Sequence, residues 1–133
     1  MAIKYKTLTM NINGQAIEPV DVPEGLMMLD FLHEYMNLTG TRMACGQGIC
    51  HACVVIVDKE DGTSEEIRTC ITGSHYFNNK KIRTIEGIGT EDKEIAGGIK
   101  LCDVQQAFVD DFSFQCGYCA RGFVNATTVF VER

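Results

Sequence analysis

The sequence lacks any apolar run long enough to cross a membrane, and its first residues, MAIKYKTLTMNING, lack the long apolar stretch of a signal peptide. Both absences predict a soluble protein that stays in the cytoplasm and does not insert directly into a membrane. Export to the periplasm, or association with a membrane, in the company of a partner that carries its own signal is the alternative location.

Basic residues are also scarce. Twelve lysines and arginines stand against eighteen aspartates and glutamates, which gives a formal net charge of -6, and the basic residues form no stripe. Proteins that bind nucleic acid use clustered lysine and arginine to contact phosphates. The composition therefore argues against a nucleic-acid partner.

Cysteine, in contrast, is abundant and clustered. The chain has seven cysteines in 133 residues, and the stretch TRMACGQGICHAC holds three of them within nine positions. An odd number does not suit a disulfide framework, and cytoplasmic thiols stay reduced. The clustering favours metal or cofactor ligation.

Residue patterning predicts a small mixed sheet in the N-terminal part. Residues 8–22 alternate apolar and polar side chains around Asn13-Gly14, which favours a hairpin. Residues 24–40 have the three-to-four-residue apolar spacing of an amphipathic helix that ends at Gly40. The segments CVVIV and EEIRTC predict two more strands on either side of a turn. The order of hairpin, helix, cysteine loop and hairpin suits a β-grasp arrangement.

The C-terminal part has a different character. Residues 84–99 are rich in glycine and charge without a clear period, which indicates a linker. Residues 101–112 form a second amphipathic pattern, and a third begins at Phe123. We expect a helical core built around three aromatic side chains, those of Phe108, Phe112 and Phe130.

The predicted fold class is therefore α+β. Residues 1–83 are expected to form a β-grasp domain, residues 84–99 a linker, and residues 100–133 a helical bundle domain.

The first cysteine set has the spacing Cys45-x4-Cys50-x2-Cys53, with Cys70 seventeen positions further on. This is the plant-type C-x4-C-x2-C…C arrangement that holds a [2Fe-2S] cluster. Two bridged irons need four thiolates, of which three can come from one loop and the fourth from a neighbouring strand. The spacing predicts an iron–sulfur site.

Two glycines in the loop, Gly46 and Gly48, support this interpretation. Glycine allows backbone angles that turn amide N–H groups toward the sulfur atoms. A zinc site is the alternative use of four thiolates, although zinc sites usually have two C-x2-C units and this set has one. Free thiols are the other alternative.

The second cysteine set is Cys116-Gly117-Tyr118-Cys119, a single C-x2-C between two helical segments. Alone, it is compatible with half of a metal site, a redox dithiol or two buried thiols. The residues by themselves leave these alternatives open.

Taken together, the motifs resemble a known family. The first cysteine set followed by TIEG, VQQAF and QCGYC is similar to the small iron–sulfur subunit of the molybdenum hydroxylases, which include xanthine dehydrogenases, aldehyde oxidoreductases and isoquinoline oxidoreductases. The resemblance extends from about Tyr5 to Phe130. It implies two [2Fe-2S] clusters, a plant-type one in the N-terminal domain and another within the helical domain.

The resemblance also implies roles for individual residues. Gln115 matches a glutamine of that family that contacts the pterin of the molybdenum cofactor. By position, the ligands of the first cluster are Cys45, Cys50, Cys53 and Cys70, and half of the second ligand set is Cys116 and Cys119.

The implied function is electron transfer without catalysis by this chain itself. A large molybdopterin-binding subunit hydroxylates the substrate, and the iron–sulfur subunit passes the electrons singly to a flavin or cytochrome acceptor. A free-standing ferredoxin is the alternative, but it leaves the second cysteine set and the third helix without a purpose.

The sequence departs from the family pattern at several positions. The family completes its second cluster with a later C-x-C pair, which does not occur up to Arg133. We expect the given sequence to be truncated; the alternative is that the second cluster is lost. Arg121 stands where the family usually has proline, which alters the start of the third helix. His51 stands at a common glycine position, either as an exposed loop side chain or as a group that contacts the cluster. Cys102 matches no ligand and is expected to be a buried, unreactive thiol, and His33 is given no role.

Overall fold

The computed structural model describes residues 2–133, which form a mixed β-structure with three α-helices. The strands are Tyr5–Leu8 (β1), Asn11–Ile12 (β2), Gln15–Ala16 (β3), Val20–Pro23 (β4), Val54–Asp58 (β5), Ser64–Arg68 (β6), Lys81–Arg83 (β7), Thr90–Glu91 (β8) and Ile99–Lys100 (β9). The helices are Met28–Glu34 (α1), Asp103–Asp110 (α2) and Ala120–Glu132 (α3), and short 3-10 turns lie at Ser74–Phe77 and Ile85–Gly87.

A five-stranded sheet organises the molecule. Its order is β3-β2-β7-β5-β6, with β2 and β7 parallel and the other neighbours antiparallel. Strands β1 and β4 pair separately, as do β8 and β9. The β2–β3 turn contains Asn13 and Gly14, both with positive φ, as expected for a tight hairpin.

Strand β5 is apolar from Val54 to Val57 because both faces of the sheet are covered at this strand. Val55 and Val57 point to one face and belong to the core formed with α1. Ile56 points to the other face and packs with residues of α3. Alternation along a strand sends successive side chains to opposite faces. The VVIV run is therefore the signature of a strand between two layers.

The face covered by α1 holds the larger core. Phe31 and Leu32 of the helix are fully buried against Val55, Ile82 and Phe77. Removing a buried side chain of this size typically costs about 2–5 kcal/mol. This packing fixes α1, and with it the loop that follows the helix.

The opposite face is covered by α3. Val124 and Val129 of the helix are buried with Ile56. At the far end of the helix, Glu132 accepts hydrogen bonds from Arg83, which also donates to Asp58. The third helix is therefore seated along β5, from the cysteine loop at one end to this ion-pair group at the other.

Several predicted boundaries differ from the structure. Helix α1 ends at Glu34 instead of reaching Gly40, and α3 begins at Ala120, three residues before the predicted start at Phe123. At Gly40 a Cβ would lie 2.4 Å from the Ile85 side chain, so this glycine permits a close approach and does not end the helix. The segment 84–99, expected to be a linker, contains a 3-10 turn and strand β8, and strand β9 begins at its last residue, Ile99.

The predicted aromatic core of the helical part is wrong for two of its three members. Phe112 is 81% exposed and Phe130 is 75% exposed, while Phe108 is half-buried against the α3 core. Phe112 lies beyond the end of α2, and Phe130 lies in the last turn of α3. Within residues 2–133, no helix has the length and apolar character needed to span a membrane.

Candidate iron–sulfur site

The four cysteines of the first set come from two adjoining segments. Cys45, Cys50 and Cys53 lie in the loop between α1 and β5, and Cys70 lies two residues after β6. Because β5 and β6 pair in antiparallel register, the start of β5 lies beside the end of β6. The amide and hydroxyl of Thr69 both donate to the Cys53 carbonyl, at 3.2 and 2.8 Å. These bonds place Cys70 next to Cys53.

Backbone amides surround the Cys45 sulfur. The N–H groups of Gln47, Ile49 and Cys50 lie 3.3, 3.3 and 3.4 Å from Cys45 Sγ. Gly46 has a φ of 65°, a left-handed angle that side chains disfavour, and it allows the loop to turn these amides inward. The hydrogen bonds from Cys50, Gln47 and Ile49 lower the pKa of the Cys45 thiol to about 6. The loop is thus built to stabilise negative charge on sulfur.

The Cys70 thiol has the opposite environment. Burial, followed by a hydrogen bond with Cys53, raises its pKa to about 11. Cys53 is 2% exposed and Cys70 is 8% exposed. A thiolate at this depth needs a compensating positive charge, and a coordinated metal ion supplies one.

The thiols are arranged as two pairs. The Cys50 amide donates to Cys45 Sγ at 3.4 Å, and Cys53 and Cys70 pack together in one buried cluster with Leu29. A binuclear cluster needs two thiolates at each of two irons. The donor set therefore fits a [2Fe-2S] cluster.

The base of the cysteine loop is tied to its surroundings by residues that the sequence did not single out. His33 on α1 donates a 2.5 Å hydrogen bond from Nε2 to the carbonyl of buried Thr41. The Arg42 amide donates to the Ala52 carbonyl across the loop. His33, to which the sequence assigned no role, thus supports the loop. Its place on the helix just before the loop is the signal that could have identified it.

The second cysteine set lies at the surface. Cys116 and Cys119 are both exposed, and Gly117 between them has a φ of 79°. They line an open groove of about 610 Å³ together with Gln115 and the exposed ring of Phe112. The structure therefore brings the predicted pterin contact and both cysteines to one groove.

Cys102 lies away from that groove. It precedes α2 as the N-cap residue, where its amide donates to Gln105 Oε1 at 3.0 Å and its side chain accepts from the Gln105 amide. The thiol is half-buried against the α3 core, which agrees in part with the buried thiol expected from the sequence.

The two cysteine segments touch each other. The Tyr118 hydroxyl, between Cys116 and Cys119, donates to the Met43 carbonyl two residues before Cys45. A Cβ built on Gly122 would lie only 1.7 Å from the His51 carbonyl oxygen. The start of α3 therefore rests directly on the backbone of the first cysteine loop.

Comparison with known proteins identifies both segments. A family described as a 2Fe-2S iron-sulfur cluster binding domain matches residues 10–76, and a family described as a [2Fe-2S] binding domain matches residues 84–133. These matches define the class, a protein in which two segments each match a [2Fe-2S]-binding family.

Individual relatives narrow the class. The chain is 34% identical over 93% of its length to a probable xanthine dehydrogenase subunit of Bacillus subtilis and spans 64% of that protein. It is 31% identical over 96% of its length to a nicotinate dehydrogenase subunit of Pseudomonas putida and spans 73% of it. The structure of quinoline 2-oxidoreductase from Pseudomonas putida 86 superposes with a TM-score of 0.80 at 26% identity, covering 96% of this chain and 70% of that one.

The chain belongs to the family of [2Fe-2S] subunits of the molybdenum hydroxylases. The family resemblance inferred from the cysteine motifs is confirmed. The mixed sheet with three helices is likewise the fold of that family.

Proposed function

We propose that this chain is the electron-transfer subunit of a molybdenum-dependent oxidoreductase. The names of two relatives, which are subunits of a xanthine dehydrogenase and of a nicotinate dehydrogenase, support this proposal. The chain contributes position and redox tuning, and the substrate reacts in another subunit. None of its residues is assigned a role as catalytic acid, base or nucleophile.

The first cluster is proposed to be held by the two thiol pairs. Cys45 and Cys50 would bind one iron, and Cys53 and Cys70 the other. A [2Fe-2S] cluster, when bound, accepts and releases one electron at a time. The three amides directed at Cys45 Sγ are the single observation that carries the proposal most strongly. Hydrogen bonds to the ligand sulfur favour the more negative, reduced state and so tune the potential.

The second cluster is proposed to use Cys116 and Cys119 as two of its four ligands. The intact subunit would thus hold two clusters. Gln115 would contact the pterin of the molybdenum cofactor at the groove that it shares with both cysteines. The exposed ring of Phe112 beside this groove supports burial of the groove against another protein surface.

We also propose the domain organisation and fold order inferred from the sequence. Residues 1–83 would form a β-grasp domain of the plant ferredoxin type, residues 84–99 a linker, and residues 100–133 part of a helical bundle domain. The position of α1 across the mixed sheet supports the first assignment.

The partners follow from the same proposal. A larger molybdopterin-binding subunit would deliver electrons, and a flavin or cytochrome subunit would receive them. The cytoplasm is the proposed location, because seven free thiols suit a reducing compartment. Export together with a partner that carries a signal is the alternative.

The proposal is tested by purifying the affinity-tagged chain from its native host. We expect a large protein that contains molybdenum to co-purify, and we expect Cys53→Ser to stop substrate-driven reduction of the acceptor. A chain that purifies alone and exchanges electrons freely would instead indicate a free-standing ferredoxin.

A further inference from the structure

His51 has an unusual backbone conformation for its residue type. It lies between the cluster cysteines Cys50 and Cys53, and its φ is 61°, in the left-handed region. Holding a residue with a side chain there strains the backbone. Glycine would avoid this strain. A histidine that contributed nothing through its side chain would therefore be a net loss to stability.

The imidazole of His51 is held from two sides. Arg68, the last residue of β6, lies with Nη2 3.1 Å from His51 Nε2. A guanidinium group can only donate, so Nε2 accepts this hydrogen bond and the ring proton resides on Nδ1. On the other side the ring stacks on Phe123 of α3, with centroids 6.0 Å apart and planes inclined by 6°.

The backbone around His51 also contacts α3. The Gly122 position leaves no space for a Cβ against the His51 carbonyl oxygen. Three residues further along the helix, the buried Asn125 amide donates a 2.8 Å hydrogen bond to the Val54 carbonyl. The His51 side chain and the backbone around it thus contact the same short stretch of α3, the helix that begins directly after Cys119.

We propose that His51 is a positioning residue that fixes the second cysteine segment relative to the first cluster. Arg68 orients the imidazole through a hydrogen bond, and the imidazole stacks on Phe123. The Phe123 ring in turn positions the helix that follows Cys119. This inference rests on the proposed function, because a fixed separation matters where electrons pass between two sites. The residue acts through packing and does not itself ligate iron.

The test compares four variants of the full-length, iron-loaded chain. His51→Gly removes the side chain and relieves the backbone, and Phe123→Ala removes the stacked ring from an exposed position. Phe123→Tyr keeps the ring and serves as the rescue. Asn79→Gly is the matched control, since Asn79 has the same φ of 61° but lies on the exposed loop before β7.

Two quantities are measured beside the EPR signal of the reduced first cluster. The first is the hydrogen-exchange rate of α3 backbone amides. The second is the paramagnetic relaxation enhancement that the unpaired electron of the reduced cluster causes at those amides in NMR spectra. This enhancement depends steeply on the distance between each amide and the cluster.

We expect His51→Gly and Phe123→Ala to accelerate α3 exchange about three- to tenfold, the range that corresponds to one lost aromatic contact. The same variants should weaken the cluster-induced relaxation in α3 while the cluster EPR signal persists. Phe123→Tyr and Asn79→Gly should match the wild type in both quantities.

The possible failures are distinguishable. If the EPR signal persists and Phe123→Ala leaves α3 exchange and relaxation unchanged, the positioning role of His51 is wrong and the proposed function stands. If the wild-type chain shows no [2Fe-2S] signal, the proposed function fails, and the inference fails with it.

Discussion

Replacing Gly122 with alanine should separate helix α3 from the first cysteine loop. A Cβ at this position would lie 1.7 Å from the His51 carbonyl oxygen, 2.6 Å from its carbonyl carbon and 3.0 Å from the Ala52 Cα. All three are backbone atoms, so no side chain can rotate away to accommodate the methyl group. The helix or the loop must move.

The size of the effect follows from this geometry. The shortest contact must open from 1.7 Å to at least 3.0 Å, a shift of 1.3 Å. Such a shift breaks the buried Asn125–Val54 hydrogen bond, which is only 2.8 Å long. Overpacking costs about 1–3 kcal/mol, an unpaired buried polar group costs a similar amount, and alanine returns about 1 kcal/mol of helix propensity. We therefore expect a net destabilisation of about 1–5 kcal/mol.

Urea unfolding followed by circular dichroism measures this value, and Gly25→Ala is the matched control. A Cβ on Gly25 meets nothing within 4 Å. That substitution should leave stability unchanged or raise it by about 0.4–1 kcal/mol, because alanine restricts the unfolded chain. If Gly122→Ala proved as stable as Gly25→Ala, the direct seating of α3 on the loop would be refuted.

Two further predictions concern the cluster ligands and the far end of α3. Cys53→Ser should abolish the iron–sulfur absorbance, whereas Cys102→Ser should retain it, because Cys102 caps a helix and serine is a good cap. Equal loss of absorbance in both would contradict the ligand assignment. The Arg83 guanidinium holds the pKa of the Glu132 carboxyl below its ordinary value of 4.5. The ion pair therefore stabilises the folded state above that pH, and this stabilisation is lost as acid protonates the carboxylate. Glu132→Gln should therefore be less stable than wild type at pH 7 and equally stable once the pH falls well below 4.5. Acid affects the cluster equally in both chains, so their difference in stability reports on the ion pair. A stability difference that did not vary with pH would count against the ion pair.

Local patterns predicted the N-terminal part of the fold well. The VVIV segment forms β5, and Asn13-Gly14 forms the hairpin turn. In these places the backbone preference and the burial of the side chains agree. The apolar spacing predicts helix α1 but places its end too late, because Met36 continues the apolar period after the helix has ended.

Long-range contacts were the part that the sequence could not provide. Nothing in the local pattern indicates that Gly122 meets His51 or that Asn125 reaches Val54, since these partners lie about 70 residues apart. The exposure of Phe130 likewise depends on long-range packing that the local pattern does not indicate. Its spacing fits an apolar helix face, but the sheet already covers the other side of α3.

The candidate site was predictable to the extent that its chemistry depends on spacing. The x4 and x2 intervals indicate one loop around a binuclear centre. The pairing of Cys53 with Cys70 depends on strand register, and the support of the loop by His33 depends on tertiary packing. Both become visible only in the folded chain.

The most direct test of the account is the iron and acid-labile sulfide content of the purified chain, measured together with EPR after reduction. The account predicts at least two irons and two sulfides per chain and a one-electron EPR signal that depends on the first cysteine set. A correctly folded chain that holds zinc at that set, or that passes electrons within its complex while free of iron, would contradict it.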